Sequence, residues 1–285
     1  MYLTLAELIP KRKENYNQLK YVTCDIKGGL GNQLFMIFAT LAYAIRTNRI
    51  AWFDEKTDYG NRSAYWNSFF KNIRVYLSHH TYYTHYKEID FSYHPIPEGI
   101  DYLEGYFQSE KYFKPQLETI IKQFDIASFQ NIIKNRYSLN QSNRISLHFR
   151  IGDYIHLQQH HVIQPLSYYE NCIRYLQEQV KGTYTIFCFY EKQDKEMTRQ
   201  HINSLQNTFS HQFIHVPELE LMKDYEEMIF MSCCHHHIIA NSSFSWWGAY
   251  FNSSPDKIVC YPKTWFGPSL PLNTKDLCPS EWIAI

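Results

Sequence analysis

The second half of this 285-residue chain alternates strand and helix signals without a break, and that alternation constrains its fold more than any other feature. Residues 145–149 (ISLHF) form a short β-prone run. Ser167-Tyr168-Tyr169-Glu170 has the spacing of a capping box, with Ser at the N-cap and Glu at N3, and predicts a helix running to about Val180 and stopping near Gly182. Strand signals at 184–189, 213–216, 237–240 and 258–261 then alternate with helix signals at 192–205, 221–234 and 244–252. Strands that alternate with helices need right-handed crossovers, and these build a parallel sheet covered on both faces. The expectation for this half is therefore Rossmann-like.

The first half follows the same logic less regularly. Residues 21–26 read as a strand, 28–31 as a tight glycine loop and 32–46 as a helix. Leu34, Phe38, Leu41 and Ile45 give that helix one apolar stripe, widened by Phe35, Ile37 and Ala42, so it should be buried. Residues 50–53 and 101–107 read as further strands, whereas 58–100, rich in Tyr, His and Asn, has no clear period. At about 150 residues per domain, the length allows two domains. The polar stretch 135–144 is the natural break, giving an N-terminal domain of residues 1–140 and a C-terminal domain of residues 141–285.

Composition narrows the function. Lys+Arg and Asp+Glu both number 28, so the formal charge is zero. A nucleic-acid-binding chain needs a surplus of cations to displace phosphate counterions, so that partner class is disfavoured. The 24 Tyr, 19 Phe and 6 Trp make 17% of the chain. Most should fill the core, but aromatic faces also stack on sugar C–H faces. Seven cysteines, an odd number with no C-x-x-C and several inside apolar runs, read as buried free thiols in a reducing compartment. The first residues do not have the order of a signal peptide. The longest apolar run, 34–45, falls short of the roughly 20 residues a membrane span needs. A cytoplasmic protein without a transmembrane segment is expected; its oligomeric state is not legible.

Three segments could carry chemistry. Gly28-Gly29-Leu30-Gly31-Asn32-Gln33 lies between a strand and a helix, where glycines let a ligand approach the backbone and the helix N-terminus offers free N–H groups; a purely structural turn fits as well. His148-Phe149-Arg150-Ile151-Gly152-Asp153-Tyr154 sits at the carboxyl end of a predicted parallel strand, where open α/β sheets bind ligands. Its Arg150 can grip a phosphate, and His148 and Asp153 can orient it or move a proton; a surface Arg–Asp pair closing a turn is the plainer alternative. Asn241-Ser242-Ser243-Phe244-Ser245-Trp246-Trp247-Gly248 follows an apolar strand and opens a helix, which makes either an anion site or an ordinary Ser cap. Cys233-Cys234-His235-His236-His237 resembles a metal site only superficially. Successive helix residues point about 100° apart, and structural zinc spacings are missing. No G-x-S-x-G, P-loop or D-x-D occurs.

Taken in order, Gly28 through Phe35, Gly105-Tyr106-Phe107-Gln108-Ser109, Lys111-Tyr112-Phe113, His148 through Tyr154, Pro165 through Tyr169, Ile238 through Gly248 and Tyr261-Pro262-Lys263-Thr264-Trp265-Phe266 resemble the α-1,2-fucosyltransferases of glycosyltransferase family 11. The resemblance covers residues 22 to 267. It implies a GT-B-like α/β fold, two Rossmann-like domains facing a cleft, with an acceptor-side N-terminal domain and a nucleotide-sugar C-terminal domain. It implies metal-independent transfer of fucose from GDP-β-L-fucose to O2 of a galactose in a glycan, with inversion. Carried over residue by residue, His148, Arg150 and Asp153 become catalytic. His148, Arg150, Glu227, Ser242, Ser243, Phe244, Ser245, Gly29 and Gly31 become donor-binding, and Asn32, Gln33, Phe107 and Gln108 acceptor-binding.

Three departures from the family stand out. Ile151 replaces a frequent second Arg, Glu227 stands for a frequent Asp, and Tyr190-Glu191-Lys192 replaces a Ser-Asp-Asp string. The general base is open among Asp153, His160, His161 and Glu110. Three other readings have different consequences: a protein O-fucosyltransferase, an NAD-dependent oxidoreductase using Gly29, Gly31 and Asp54, and a non-catalytic sugar-binding module.

Overall fold

The alternation read from the sequence is realised in two α/β units, each built on a sheet whose strands pair only in parallel. The structure is a computed structural model and describes residues 19–59, 62–139, 143–219 and 222–285. By contacts, one unit runs to Gly28 and takes in Asn32–Phe124; the other holds Gly29–Gly31 and Asp125–Ile285.

In the first unit, β1 (Tyr21–Cys24), β2 (Ile50–Ala51), β3 (His85–Lys87) and β4 (Tyr102–Glu104) stand in the order β2-β1-β4-β3. Helix α1 (Leu30–Thr47) follows the glycine loop after β1. Its residues Leu34 through Phe38 are wholly buried on successive positions, as expected of a helix apolar on all sides. Thr40 within this run turns its hydroxyl back to Met36 O at 2.8 Å, so no polar group is stranded. Between 62 and 84 the backbone is irregular apart from a 3-10 helix at Lys71–Tyr76, and it buries Tyr65, Trp66, Phe69 and Phe70 without a period. Phe69 and Phe70 pack against Phe124 at the end of α2 (Leu117–Phe124), and Trp66 donates to the Tyr59 hydroxyl at 3.0 Å. Asp125, in the left-handed region at φ 55°, separates α2 from α3 (Ile126–Arg136). Helix α3 packs on the second unit's α6 (Asp224–Ser232), so the division by contacts falls ahead of the polar stretch 135–144.

The second unit runs β5 (Asn143–His148), α4 (Leu166–Gln179), β6 (Tyr184–Phe189), α5 (Lys195–Thr208), β7 (Gln212–His215), α6, β8 (His236–Ile238), α7 (Ser243–Tyr250), β9 (Val259–Tyr261) and β10 (Ile283–Ala284). The expected strands and helices are all present with shifted ends. The capping box expected at Ser167 is not. Helix α4 starts two residues earlier, with Pro165 at the N-cap, and the Pro165 carbonyl accepts from Tyr168 N at 3.0 Å. The sheet order is β10-β9-β8-β5-β6-β7. Side chains alternate across a strand, so Ile145 and Leu147 face a core with Tyr169, Cys172, Ile173 and Ile202. Phe187 and Phe189 face Phe230 of α6 on the other side.

Candidate active site

The order of this sheet fixes where a ligand can enter. From β5 the chain steps outward to β6 and β7, then returns to the other side of β5 and steps outward again through β8 and β9. Beyond the carboxyl ends of β5 and β8, loops that lead in opposite directions leave a crevice, the usual ligand site of an open parallel sheet. Leu147 pairs with Ile238 there, so the two segments singled out in the sequence, 148–154 and 241–245, emerge side by side.

Arg150 stands just past β5. Its Nη2 donates to Asp153 Oδ1 at 2.5 Å and its Nη1 to Glu191 Oε1, and the guanidinium lies 4.9 Å from the centre of the Tyr154 ring. The Tyr154 hydroxyl donates to Asn241 O at 3.2 Å, which ties the arginine loop to the serine loop. The turn beneath is held by Asp194, buried at the end of the β6 loop, whose Oδ2 accepts from Gly152 N at 2.8 Å. Burial lifts the Asp194 carboxyl above its ordinary range, and the Gly152 amide pulls the other way. Neither Glu191 nor Asp194 is assigned a role from the sequence; their place after the second strand of the unit was the only signal.

His148 is buried at the end of β5, and burial, reinforced by Arg150, lowers its imidazolium pKa to about 3. It is neutral at physiological pH, and its buried Nδ1 has no hydrogen-bond partner among the described residues. Asn241 is equally buried. Its Nδ2 is spent on Val162 O and Trp265 O, at 3.0 and 2.9 Å, and its Oδ1 has no partner. Two orphaned polar atoms at one sheet end are costly unless something binds there.

In the serine loop, Ser242 caps α7 by accepting from Phe244 N at 3.3 Å. Ser245 turns its hydroxyl back to Ser242 O at 3.3 Å. The Phe244 ring lies 5.9 Å from that of His148. Trp246 and Trp247 are wholly buried, donating to Leu277 O and Gly31 O at 3.0 Å each. A Cβ on Gly31 would stand 2.4 Å from the Ser243 carbonyl carbon, so this glycine serves close backbone approach to the mouth of α7, whereas Gly29 has open space around it. Glu227 on α6 has its carboxyl raised to about 7 by burial and by Asp224.

In the first unit, Asn32 and Gln108 are brought together, with Gln108 Nε2 donating to Asn32 Oδ1 at 2.9 Å. Gln33 and Phe107, expected against the acceptor, are wholly buried. Gln33 Nε2 holds the glycine loop at Gly28 O and reaches Ser63 O, each at 2.9 Å. Of the candidate bases, His161 stacks on Tyr154 with ring centres 4.7 Å apart. Glu110 lies in the first unit and accepts from Lys114 Nζ at 2.7 Å.

The cysteine–histidine string divides its side chains among separate partners. His235 Nδ1 accepts from Arg144 N at 3.0 Å and His236 Nδ1 from Ile258 N at 3.1 Å. His237 lies between Ser146 and Asn252 at 2.7 and 2.9 Å. Among the described residues no cluster of His, Cys, Asp or Glu is placed to hold a metal ion.

A parallel α/β unit with an arginine and a helix mouth at its switch point defines a ligand-binding site of the open-sheet kind. Residues 57–285 match Glycosyl transferase family 11, and the chain belongs to that family. It is 33% identical over 192 residues to the O-antigen biosynthesis glycosyltransferase WbnK of Escherichia coli. It is 31% identical over 185 residues to an alpha-1,2-colitosyltransferase of Escherichia coli. Each match takes in 64% of this chain, and 59% and 61% of the respective relative, so the chain spans about three-fifths of their length. Among solved structures, a FUT1 variant of Arabidopsis thaliana in complex with GDP aligns with 95% of this chain and 77% of its own, at 12% identity and a TM-score of 0.49. Fucosyltransferase NodZ from Bradyrhizobium aligns with 81% of this chain and 93% of its own, at 12% identity and a TM-score of 0.43.

Proposed function

We propose that this chain is a fucosyltransferase that moves L-fucose from GDP-β-L-fucose to the 2-hydroxyl of a galactose in a glycan, with inversion and without a metal. Membership of Glycosyl transferase family 11 supports the reaction class. One observation about the site carries it: at the switch point of the second sheet, Arg150 lies on the Tyr154 ring, the Tyr154 hydroxyl reaches Asn241 O just ahead of α7, and the same segments hold the orphaned His148 Nδ1 and Asn241 Oδ1.

Breaking the fucose–phosphate bond leaves negative charge on GDP, which has to be met by donors already in place. Arg150 supplies a fork of N–H groups and α7 the positive end of its dipole. Asp153 orients the guanidinium, a role its ion pair suits. His148, neutral, offers one ring nitrogen to the nucleotide. Glu227 accepts N–H groups of the guanine, and Asn32 and Gln108 meet the acceptor sugar. No helix of the described residues is long and apolar enough to cross a membrane. All seven cysteines are unpaired, which suits a cytoplasmic setting.

Calorimetry with GDP, GDP-fucose and NAD, with and without EDTA, followed by transfer to lactose and NMR of the product linkage, tests this reading. GDP binding that survives EDTA, with an α-1,2 product, is expected. NAD binding, or an absence of GDP binding, overturns it. A colitosyl donor is the second reading, favoured by the 31% identical relative. Competition between the two donors separates them.

A further inference from the structure

The first unit contains a carboxylate whose place in the fold calls for a role. Glu88 follows β3 directly, and its backbone N donates to Glu104 O at 2.8 Å, extending the pairing with β4. From there its side chain reaches across the turn after β4. Oε2 accepts from Tyr106 N at 2.7 Å and Oε1 from Phe107 N at 3.0 Å. Only a glycine at 105 allows this, since a Cβ there would stand 2.4 Å from Glu88 Cβ. The turn so held is an uncommon one. Phe107 has φ 51°, a left-handed conformation disfavoured for a residue with a Cβ. Its ring is wholly buried, 5.2 Å from that of Tyr112 and 6.4 Å from that of Tyr86. The next residue is Gln108, whose amide meets Asn32.

We infer that Glu88 is a positioning residue for the acceptor side of the reaction: its carboxylate grips the Tyr106 and Phe107 amides and thereby sets Gln108 against Asn32. The inference rests on the fucosyltransferase reading and adds to it a residue that touches no substrate. Two consecutive amides pointing at one carboxylate need both of its oxygens as acceptors. A protonated carboxyl keeps one acceptor of that quality and turns an O–H toward the other amide, so the grip loosens. The groups that face Glu88 are Asp90, which disfavours its charge, Lys27, which favours it, and the phenols of Tyr86 and Tyr112. Burial outweighs the two amides and raises the carboxyl to about 7, so the turn is held above neutral pH and loosens below it.

The test is Glu88→Gln, which keeps the shape and removes the charge. With GDP-fucose and lactose, the KM for lactose should rise about tenfold, while kcat and the KM for GDP-fucose stay within about twofold. In the parent, the KM for lactose should rise as pH falls from 8 to 6; in Glu88→Gln that dependence should vanish. Asp90→Asn, which removes a facing like charge, should move the midpoint to lower pH. A substrate-free readout runs beside these: with [15N]Phe labelling, the Phe107 amide should titrate near pH 7 in the parent and not in Glu88→Gln. An unchanged KM for lactose in Glu88→Gln, or a Phe107 amide insensitive to pH in the parent, overturns the inference. A parent that transfers nothing from GDP-fucose to lactose or other galactosides overturns the function reading instead, and the amide titration still decides whether Glu88 holds the turn.

Discussion

Truncating Arg150 separates catalysis from stability more sharply than any other change. The Arg150 side chain is 17% exposed, but its partners Asp153 and Glu191 are 47% and 39% exposed. Ion pairs to groups that wet contribute about 0–1 kcal/mol each, and the contact with the Tyr154 ring about 0.5–1 kcal/mol. Arg150→Ala therefore costs the fold roughly 1–2 kcal/mol, and the two carboxylates it leaves behind stay hydrated. The same change removes a preorganised donor from the leaving diphosphate, a loss of about 10²–10³ in kcat. The assay is GDP release with lactose as acceptor, beside urea unfolding of the same preparations. Glu191→Gln is the control of opposite sign: it frees Arg150 from a competing carboxylate, so GDP should bind about threefold to tenfold more tightly. If Arg150→Ala keeps kcat within threefold of the parent, or if Glu191→Gln weakens GDP, then Arg150 is only closing a turn and the assignment is wrong.

Glu227 is raised to about 7 in the folded chain from an ordinary 4.5. Its contribution to stability is therefore present below about pH 4.5 and lost as pH rises through 7, while the carboxylate that can accept guanine N–H groups forms over that same rise. GDP should bind more tightly at pH 8 than at pH 6, and calorimetry of Glu227→Gln should show a weaker, flat profile. His148 is depressed to about 3, so its contribution is intact above about 6.5 and lost as pH falls toward 3. Acid unfolding followed by circular dichroism should be less steep in His148→Asn. Gly105→Ala sets a Cβ 2.4 Å from Glu88 Cβ and should lower stability by about 1–3 kcal/mol in urea unfolding, with the KM for lactose rising as in Glu88→Gln.

What could be read from the residues follows from what shapes each element. Strands β5, β6 and β9 are buried parallel strands and so appear as apolar runs, legible without their partners. Strand β3 is at the edge of its sheet, with His85 and Lys87 exposed, and β10 has only two residues; neither leaves a pattern. Helices α2 and α3 are divided at Asp125 by a left-handed residue that no local rule requires. The place of Arg150 was legible because the apolar run 145–149 ends just before it, at the end of β5. Glu88 was not, because its partners are backbone amides brought to it by the pairing of β3 with β4, and amides carry no residue identity.

The departures from the family pattern find physical meaning in the second unit. Ile151, where a second arginine is frequent, is buried in the core that β5 shares with α4. A guanidinium would have to leave that core, so position 151 adds no second cation beside Arg150. That cation is already shared by two carboxylates, one of them Glu191 from the altered string after β6. Under the proposed function, a diphosphate arriving at Arg150 meets one cation shared by two carboxylates, and its binding requires Glu191 to yield. The pull that makes it yield has to come from groups without a counter-charge. The mouth of α7 is such a group, because a helix N-terminus carries positive potential and the first turn of α7 holds no acidic residue. Under the proposed donor assignment, the mouth of α7 supplies that pull and Arg150 acts once Glu191 has let go.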